Sequence, residues 1–335
     1  MVNGKNCSEP KGAGERALSL ADIRMARERI AEHIHRTPVM TSRSINALAG
    51  ADLFFKCENL QRTGSFKIRG ATNAMLMLQP EQVRRGVVTH SSGNHAAALA
   101  LAARSRRATA YIVMPENAPA VKVAAVKAYG GRVITCASSM NAREETTARV
   151  MAETGATLIH PYNDYNVIAG QGTATLELME EVADLDMVLA PVSGGGLLSG
   201  TAIAAKGLQP GVRVIGCEPE KADDAYRSLQ AGHIVPNEHP ATIADGLRAN
   251  LGDKTFAIIR TLVDEIVVVS DEEILRAMRL LFERLKLVVE PSGAIGLAAV
   301  LSGRLQVPGR RVGIILSGGN VDLEAFFASL RTGLH

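Results

Sequence analysis

From residue 86 onward, short apolar runs rich in β-branched residues alternate with Ala-rich runs of helical period. The extended runs fall at 86–90, 108–114, 133–136, 157–160, 187–192, 212–217 and 312–316. Helical patterns lie between them, for example 95–104, 142–153 and 270–286. Strands separated by helices pair in parallel, because a parallel neighbour needs a crossover, and the crossover helices cover both sheet faces. An α/β architecture with mainly parallel sheets is expected. Ligands in such sheets bind where strand carboxyl ends lead into helix N-termini, so those loops are the places to search. Upstream, Ser19 can cap a helix with Asp22 as its capping-box partner. Ile23, Ala26, Ile30 and Ile34 then recur at helical spacing until Thr37-Pro38 stops the run.

Composition narrows the class. The 335 residues suffice for two compact lobes, and a 47% hydrophobic content argues against disorder. A formal charge of +3, from 37 basic and 34 acidic residues, gives no reason to expect nucleic acid or a membrane surface as partner. Cys7, Cys57, Cys136 and Cys217 lack C-x-x-C spacing and read as reduced and structural. Residues 1–16 are polar without an apolar core, a loose tail and not a signal peptide. No apolar run is long enough to cross a bilayer. The cytosol is the expected compartment.

Three strand-to-helix loops stand out. In Pro191-Val192-Ser193-Gly194-Gly195-Gly196-Leu197-Leu198 a buried strand enters a triple glycine and a helical run follows. Such a loop turns successive backbone N–H groups toward one anion at a helix N-terminus, which suits a phosphate. A flexible turn and a nicotinamide-binding loop are the alternatives. Glu218 stands where a ribose-binding acid would, but Ser199 occupies the third position of G-x-G-x-x-G, and no Lys-Ser/Thr pair makes a P-loop. The second loop, Thr89-His90-Ser91-Ser92-Gly93-Asn94-His95, offers hydroxyls and free N–H groups to a carboxylate, or simply caps a helix. In the third, Gly64-Ser65-Phe66-Lys67-Ile68-Arg69-Gly70, Lys67 reads either as a surface lysine burying its stem or as a desolvated, imine-forming amine.

Taken together, these loops and Ser317-Gly318-Gly319-Asn320 occur in the order and spacing of the serine racemase and serine/threonine dehydratase family, which the chain resembles over about residues 20–330. The likeness extends through His160-Pro161, Ala169-Gly170-Gln171-Gly172-Thr173, Thr242-Ile243-Ala244-Asp245-Gly246 and Glu290-Pro291. It implies the fold type II pyridoxal-phosphate architecture, which is tryptophan synthase β-like. In it, a small lobe of residues 77–163 is inserted into a large lobe made of 1–76 and 164–335. A homodimer is implied as well. The chain ends about where the family's catalytic domain does, so feedback control by isoleucine is not expected.

The resemblance makes Lys67 the residue that bonds covalently to pyridoxal 5'-phosphate and, once freed, removes the substrate Cα proton. It sets Phe66 against the cofactor ring, Asn94 on its phenolic oxygen, and Ser193, Gly194, Gly195, Gly196 and Leu197 around its phosphate. Ser193 stands where the family usually has a further glycine. Ser317 would face the pyridine nitrogen, and a neutral hydroxyl there makes a weaker electron sink than a carboxylate, which favours β-elimination over transamination. Ser91, Ser92, Gly93 and His95 would line the substrate. Ser92 aligns with a serine on the cofactor's opposite face, so racemisation by Lys67 and Ser92 is compatible with the sequence, whereas dehydration needs one face only.

Glu218, Ala222 and Asp224 match the family's divalent-cation loop, two carboxylates and a backbone carbonyl suited to Mg²⁺, Ca²⁺ or Mn²⁺; a solvated acidic helix start is the alternative. Arg143 aligns with the arginine that serine racemases set near a dicarboxylate's second carboxyl group. A helix-surface ion pair with a nearby glutamate is its alternative. His90 and His160 line the site or serve the structure. Tyr111, Lys286 and Asn320 are compatible with nucleotide activation. The implied activity converts L-serine, L-threonine or threo-3-hydroxyaspartate to a 2-oxo acid and ammonia, with an amino-acid racemase as the alternative and a non-catalytic or nicotinamide-binding protein, using Gly194–Gly196 for a dinucleotide, as the third reading.

Overall fold

The structure, a computed structural model, describes residues 17–332. Its ten strands are β1 (Val39–Met40), β2 (Asp52–Cys57), β3 (Val87–His90), β4 (Ala110–Pro115), β5 (Arg132–Cys136), β6 (Thr157–Leu158), β7 (Met187–Pro191), β8 (Arg213–Pro219), β9 (Glu265–Val269) and β10 (Arg311–Leu316). They form two sheets. One has the order β1-β2-β10-β7-β8-β9 and the other β5-β4-β3-β6. Every pairing is parallel except β1 with β2. Near-continuous apolar strands such as Met187–Pro191, buried at every position, are what sheets covered on both faces require.

All seven extended runs read from the sequence are strands, with ends displaced by one or two residues; β1, β2 and β9 were not foreseen. Ser19 caps the first helix, Leu20–Ile30, and Asp22 completes the capping box. The helical pattern at 270–286 is an α-helix over Asp271–Leu280 that widens into a π-turn over Leu281–Leu285 and stops at Lys286, whose φ is +61°. The polar tail 1–16, and Cys7 with it, lies outside the described residues. No helix among the described residues is long and apolar enough to cross a membrane.

Three helices meet beneath the site: Lys67–Met77, Tyr165–Glu181 and Gly196–Leu208. They approach backbone to backbone. A Cβ on Gly170 would stand 2.6 Å from Gly70 Cα, and one on Gly200 would stand 2.5 Å from Gly172 N. Only glycine lets the helix axes come this close. The first contact fixes the helix that begins at Lys67, and the second fixes the helix that begins at the triple glycine.

Candidate active site

Lys67 opens its helix straight out of an irregular loop. Phe66 N donates to Ser317 O at 3.0 Å, Gly319 N donates to Gly64 O at 2.9 Å, and Ser65 bridges Gly318. These bonds zip the loop before Lys67 to the loop after β10, so Phe66, Lys67 and Ser317 are brought together from opposite ends of the chain. The Lys67 ammonium donates to Pro161 O at 2.9 Å and stands 5.2 Å from the centre of the Phe66 ring. Burial lowers its pKa from 10.5 to about 8, against the opposing pull of the Glu290 carboxylate. Lys67 is thus a half-buried amine whose pKa lies well below that of a free lysine, and not a surface lysine.

Two residues further on, Arg69 is fully buried and carries a network of four charges. Its guanidinium donates to Glu58 at 2.7 and 2.8 Å, to Glu177 at 2.8 Å through each terminal nitrogen, and to Thr173 Oγ1 at 3.1 Å. Lys56 donates to Glu177 Oε2 and to Thr37 O, both at 2.7 Å. Two cations face two carboxylates with almost every lone pair used, which is the condition under which buried charge is tolerated.

On the other side, Asn94 begins the helix Asn94–Ser105, and its Nδ2 donates to Glu290 Oε1 at 2.9 Å. Glu290 is 4% exposed, and burial raises its carboxyl from 4.5 to about 7. Sequence reasoning placed Glu290 only within a motif. The signal it left was an acid directly before a helix-starting proline in an apolar stretch, Val288-Val289-Glu290-Pro291. Ser91, Ser92 and Gly93 form the half-buried turn between β3 and this helix, and a Cβ on Gly93 would meet open space. His95 is turned inward: it is buried, and its Nε2 is 3.3 Å from Ile159 O.

The triple glycine leaves β7 and enters the helix Gly196–Leu208, with Gly195 at φ +91°. The first amides of this helix have no intrahelical acceptor, and they gather at one point with the favourable end of the helix dipole. Ser193 Oγ is 3.0 Å from Ala249 N and 3.1 Å from Ala249 O, and Thr255 Oγ1 donates to Gly194 O at 2.7 Å. Tyr162, next to the carbonyl that receives Lys67, lies flat against the loop: a Cβ on Gly194 would fall 2.4 Å from its ring. The Tyr162 ring meets His160 edge-on at 4.6 Å, and His160 meets His90 at 5.7 Å. His160 Nδ1 accepts from Asn163 N at 3.0 Å, and burial lowers its pKa to about 4, so this ring is neutral.

Behind the glycine loop, Glu218 and Asp224 are 0% and 1% exposed. Glu218 accepts from Ala225 N at 2.9 Å and Tyr226 N at 2.8 Å, and Asp224 accepts from Leu251 N at 3.2 Å. Burial raises both pKa values, that of Asp224 to about 6, and each is raised further by a neighbouring acid. Glu218 and Asp224 are therefore not solvated, whereas Glu220 and Lys221 between them are exposed. Among the described residues, no group of three or more His, Cys, Asp or Glu could hold a metal ion, so the pair would need backbone or water oxygens to complete a shell.

Arg143 lies in the first turn of the helix Met140–Thr154. Its Nε is buried without a hydrogen-bond partner, and it makes no ion pair with Glu144 or Glu145. Of the three described cysteines, Cys57 and Cys217 are buried and all are free.

A desolvated lysine, an anion cradle at the helix N-terminus after β7, and a neutral serine at the same carboxyl edge after the neighbouring strand β10 fit pyridoxal phosphate. The chain belongs to the pyridoxal-phosphate dependent enzyme family, whose profile matches residues 30–318. It is 53% identical over 321 residues to a serine racemase of Arabidopsis thaliana, covering 94% of this chain and 97% of the relative. It is 51% identical over 303 residues to a beta-hydroxyaspartate dehydratase of Paracoccus denitrificans, covering 90% and 96%. The solved structure of maize serine racemase superposes with a TM-score of 0.91 at 52% identity, covering 95% of this chain and 98% of that one.

Proposed function

We propose that this enzyme is an ammonia-lyase for small β-hydroxy amino acids, with threo-3-hydroxyaspartate preferred over L-serine and L-threonine. The observation that carries the preference is Arg143, whose buried Nε has no partner. A planar guanidinium kept free of the glutamates beside it is suited to take a second carboxylate bidentately. The Paracoccus relative, named for hydroxyaspartate, supports this substrate class.

Pyridoxal phosphate, when bound, supplies the electron sink for charge that develops at the substrate Cα. The chain's own residues do the rest. Lys67 and the amides of Gly194, Gly195, Gly196 and Leu197, with Ser193, would hold the cofactor at two ends, with Phe66 against its ring and Asn94 and Ser317 on its polar edges. The Lys67 amine takes the Cα proton, for which a pKa of about 8 is well matched near neutrality. Ser317 offers a hydroxyl and no negative charge, which favours prompt departure of the β-hydroxyl group. Ser91, Ser92 and Gly93 would bind the α-carboxylate, with His95 supporting that turn from behind. Glu218, Asp224 and the Ala222 carbonyl would hold Mg²⁺ or a similar divalent cation.

Racemisation is the second reading, supported by the Arabidopsis and maize relatives and by Ser92 as the acid for the face opposite Lys67. Residues 77–163 form the inserted small lobe in this reading, supported by the four strands β3 to β6 all lying within it. A cytosolic homodimer completes the proposal; free cysteines accord with the cytosol, and light scattering tests the dimer.

The test is 2-oxo acid release from L-serine, L-threonine and both diastereomers of 3-hydroxyaspartate. Arg143→Ala should lower kcat/KM for threo-3-hydroxyaspartate by about 100-fold, the loss of one bidentate charged contact, and that for serine by less than about threefold. Equal losses on all substrates would remove the dicarboxylate reading. Interconversion of serine enantiomers faster than oxo-acid release would favour the racemase.

A further inference from the structure

The Asn94 carboxamide is held from both ends. Asn320 Nδ2 donates to Asn94 Oδ1 at 2.9 Å, while Asn94 Nδ2 donates to Glu290 at 2.9 and 3.2 Å. An amide with its oxygen on a donor and its NH₂ on a carboxylate has one orientation. Turning it over would set NH₂ against NH₂ and oxygen against carboxylate. Two oxygens of one carboxylate subtend a much smaller angle at Asn94 Nδ2 than its two N–H bonds do, so Glu290 takes one hydrogen in good geometry and the other is left for a further acceptor.

Asn320 is itself fixed. Its Nδ2 donates its second hydrogen to Thr63 O at 2.7 Å, and its backbone N donates to Glu290 Oε2 at 3.2 Å. Thr63 accepts this bond from the left-handed region, φ +61° and ψ +11°, a conformation that costs a β-branched residue energy and persists where the surroundings impose it. Gly64, also left-handed at φ +72°, leaves room for the contact: a Cβ there would fall 2.2 Å from Asn320 Oδ1. The strained turn just before Lys67 is therefore shaped around the Asn320 side chain.

We propose that Asn320 is a positioning residue: it locks the Asn94 carboxamide so that the unspent Nδ2 hydrogen is the one presented to the phenolic oxygen of the cofactor. This rests on the reading of Asn94 as the cofactor's partner. Asn320 is exposed on the loop after β10, so its truncation leaves the core intact.

The holoenzymes of the native chain, Asn94→Ala, Asn320→Ala and Asn320→Asp are compared for the visible absorption band of the bound cofactor, the rate of cofactor release on dilution, and Tm. Asn320→Ala should shift the band in the same direction as Asn94→Ala. It should also speed release by about three- to tenfold, the worth of one hydrogen bond, with little change in Tm. Asn320→Asp should exceed it, because a carboxylate repels Asn94 Oδ1 and Glu290. A silent Asn320→Ala beside an affected Asn94→Ala overturns the positioning role and leaves Asn94 as the partner. If Asn94→Ala is silent, the reading of Asn94 falls and the proposal with it. Faster release in Asn320→Ala without the band shift of Asn94→Ala also overturns it, since only the loop would then have been loosened.

Discussion

Lys67 and Glu290 are pushed toward neutrality by the same burial. Burial lowers the lysine from 10.5 to about 8 and raises the glutamate from 4.5 to about 7, and the Glu290 carboxylate pulls Lys67 back up. In the cofactor-free enzyme, the rate at which Lys67 is acylated should rise with pH around an apparent pKa of about 8. Glu290→Gln should move that midpoint lower, and an unchanged midpoint would separate the two groups. The stability consequence has a definite sign. A carboxyl whose folded pKa lies above its unfolded value carries no penalty below about pH 4.5, a growing one between 4.5 and 7, and the full penalty above 7. Glu290→Gln should therefore gain on the native chain by roughly 1–3 kcal/mol between pH 4.5 and 8, read as a widening difference in Tm. Lys67 was legible in the sequence because four loops in fixed order converge on it. Glu290 was not, since only folding brings it opposite Asn94, 196 residues away.

The element that carries Lys67 is the helix Lys67–Met77, and its anchor is the Arg69 network. This network joins the helix to β2 through Lys56, to the turn after β2 through Glu58, and to the helix Tyr165–Glu181 through Glu177. Arg69→Met removes one cation and leaves two carboxylates facing a single lysine, at a cost of about 3–5 kcal/mol in stability. Denaturant unfolding measures this. A loss below about 1 kcal/mol would mean that water reaches the carboxylates. The same chemistry accounts for what the sequence concealed at this scale. β2, Asp52-Leu53-Phe54-Phe55-Lys56-Cys57, carries a charge in mid-strand and does not read as a buried strand, yet Lys56 is fully buried because Glu177 meets it. β9 was hidden differently: its apolar run follows the helix Asp253–Leu262 after two residues, and periodicity does not separate so short a strand from a helix end. Strands flanked by Gly-rich turns and Ala-rich helices were plain, since both partners of the alternation signal them.

At the scale of the whole molecule, the segment 249–255 ties the acidic pair to the glycine cradle. Leu251 N donates to Asp224, while Ala249 meets Ser193 and Thr255 Oγ1 donates to Gly194 O. Asp224 is held at the far end of this segment and Glu218 beside it, two buried carboxylates with raised pKa values and, among the described residues, no basic side chain hydrogen-bonded to them. A divalent cation on Glu218, the Ala222 carbonyl and Asp224 would relieve their mutual repulsion and stiffen 249–255, and through it the cradle. A ligand bound only by the folded state at about 100 times its Kd adds about 2.7 kcal/mol. Mg²⁺ should accordingly raise Tm by several degrees, and chelator should remove the gain and speed release of cofactor from the holoenzyme. Glu218→Gln, which keeps the shape of the side chain and loses one charge, should abolish the response to Mg²⁺ in both measurements. If chelator lowers Tm and leaves cofactor release untouched, the cation is bound but 249–255 does not transmit it. If Tm and release are both indifferent to Mg²⁺ and chelator, the acidic pair serves the structure through the backbone N–H groups it accepts, and Glu218→Gln should then destabilise the chain, because an amide NH₂ cannot accept from Ala225 N or Tyr226 N.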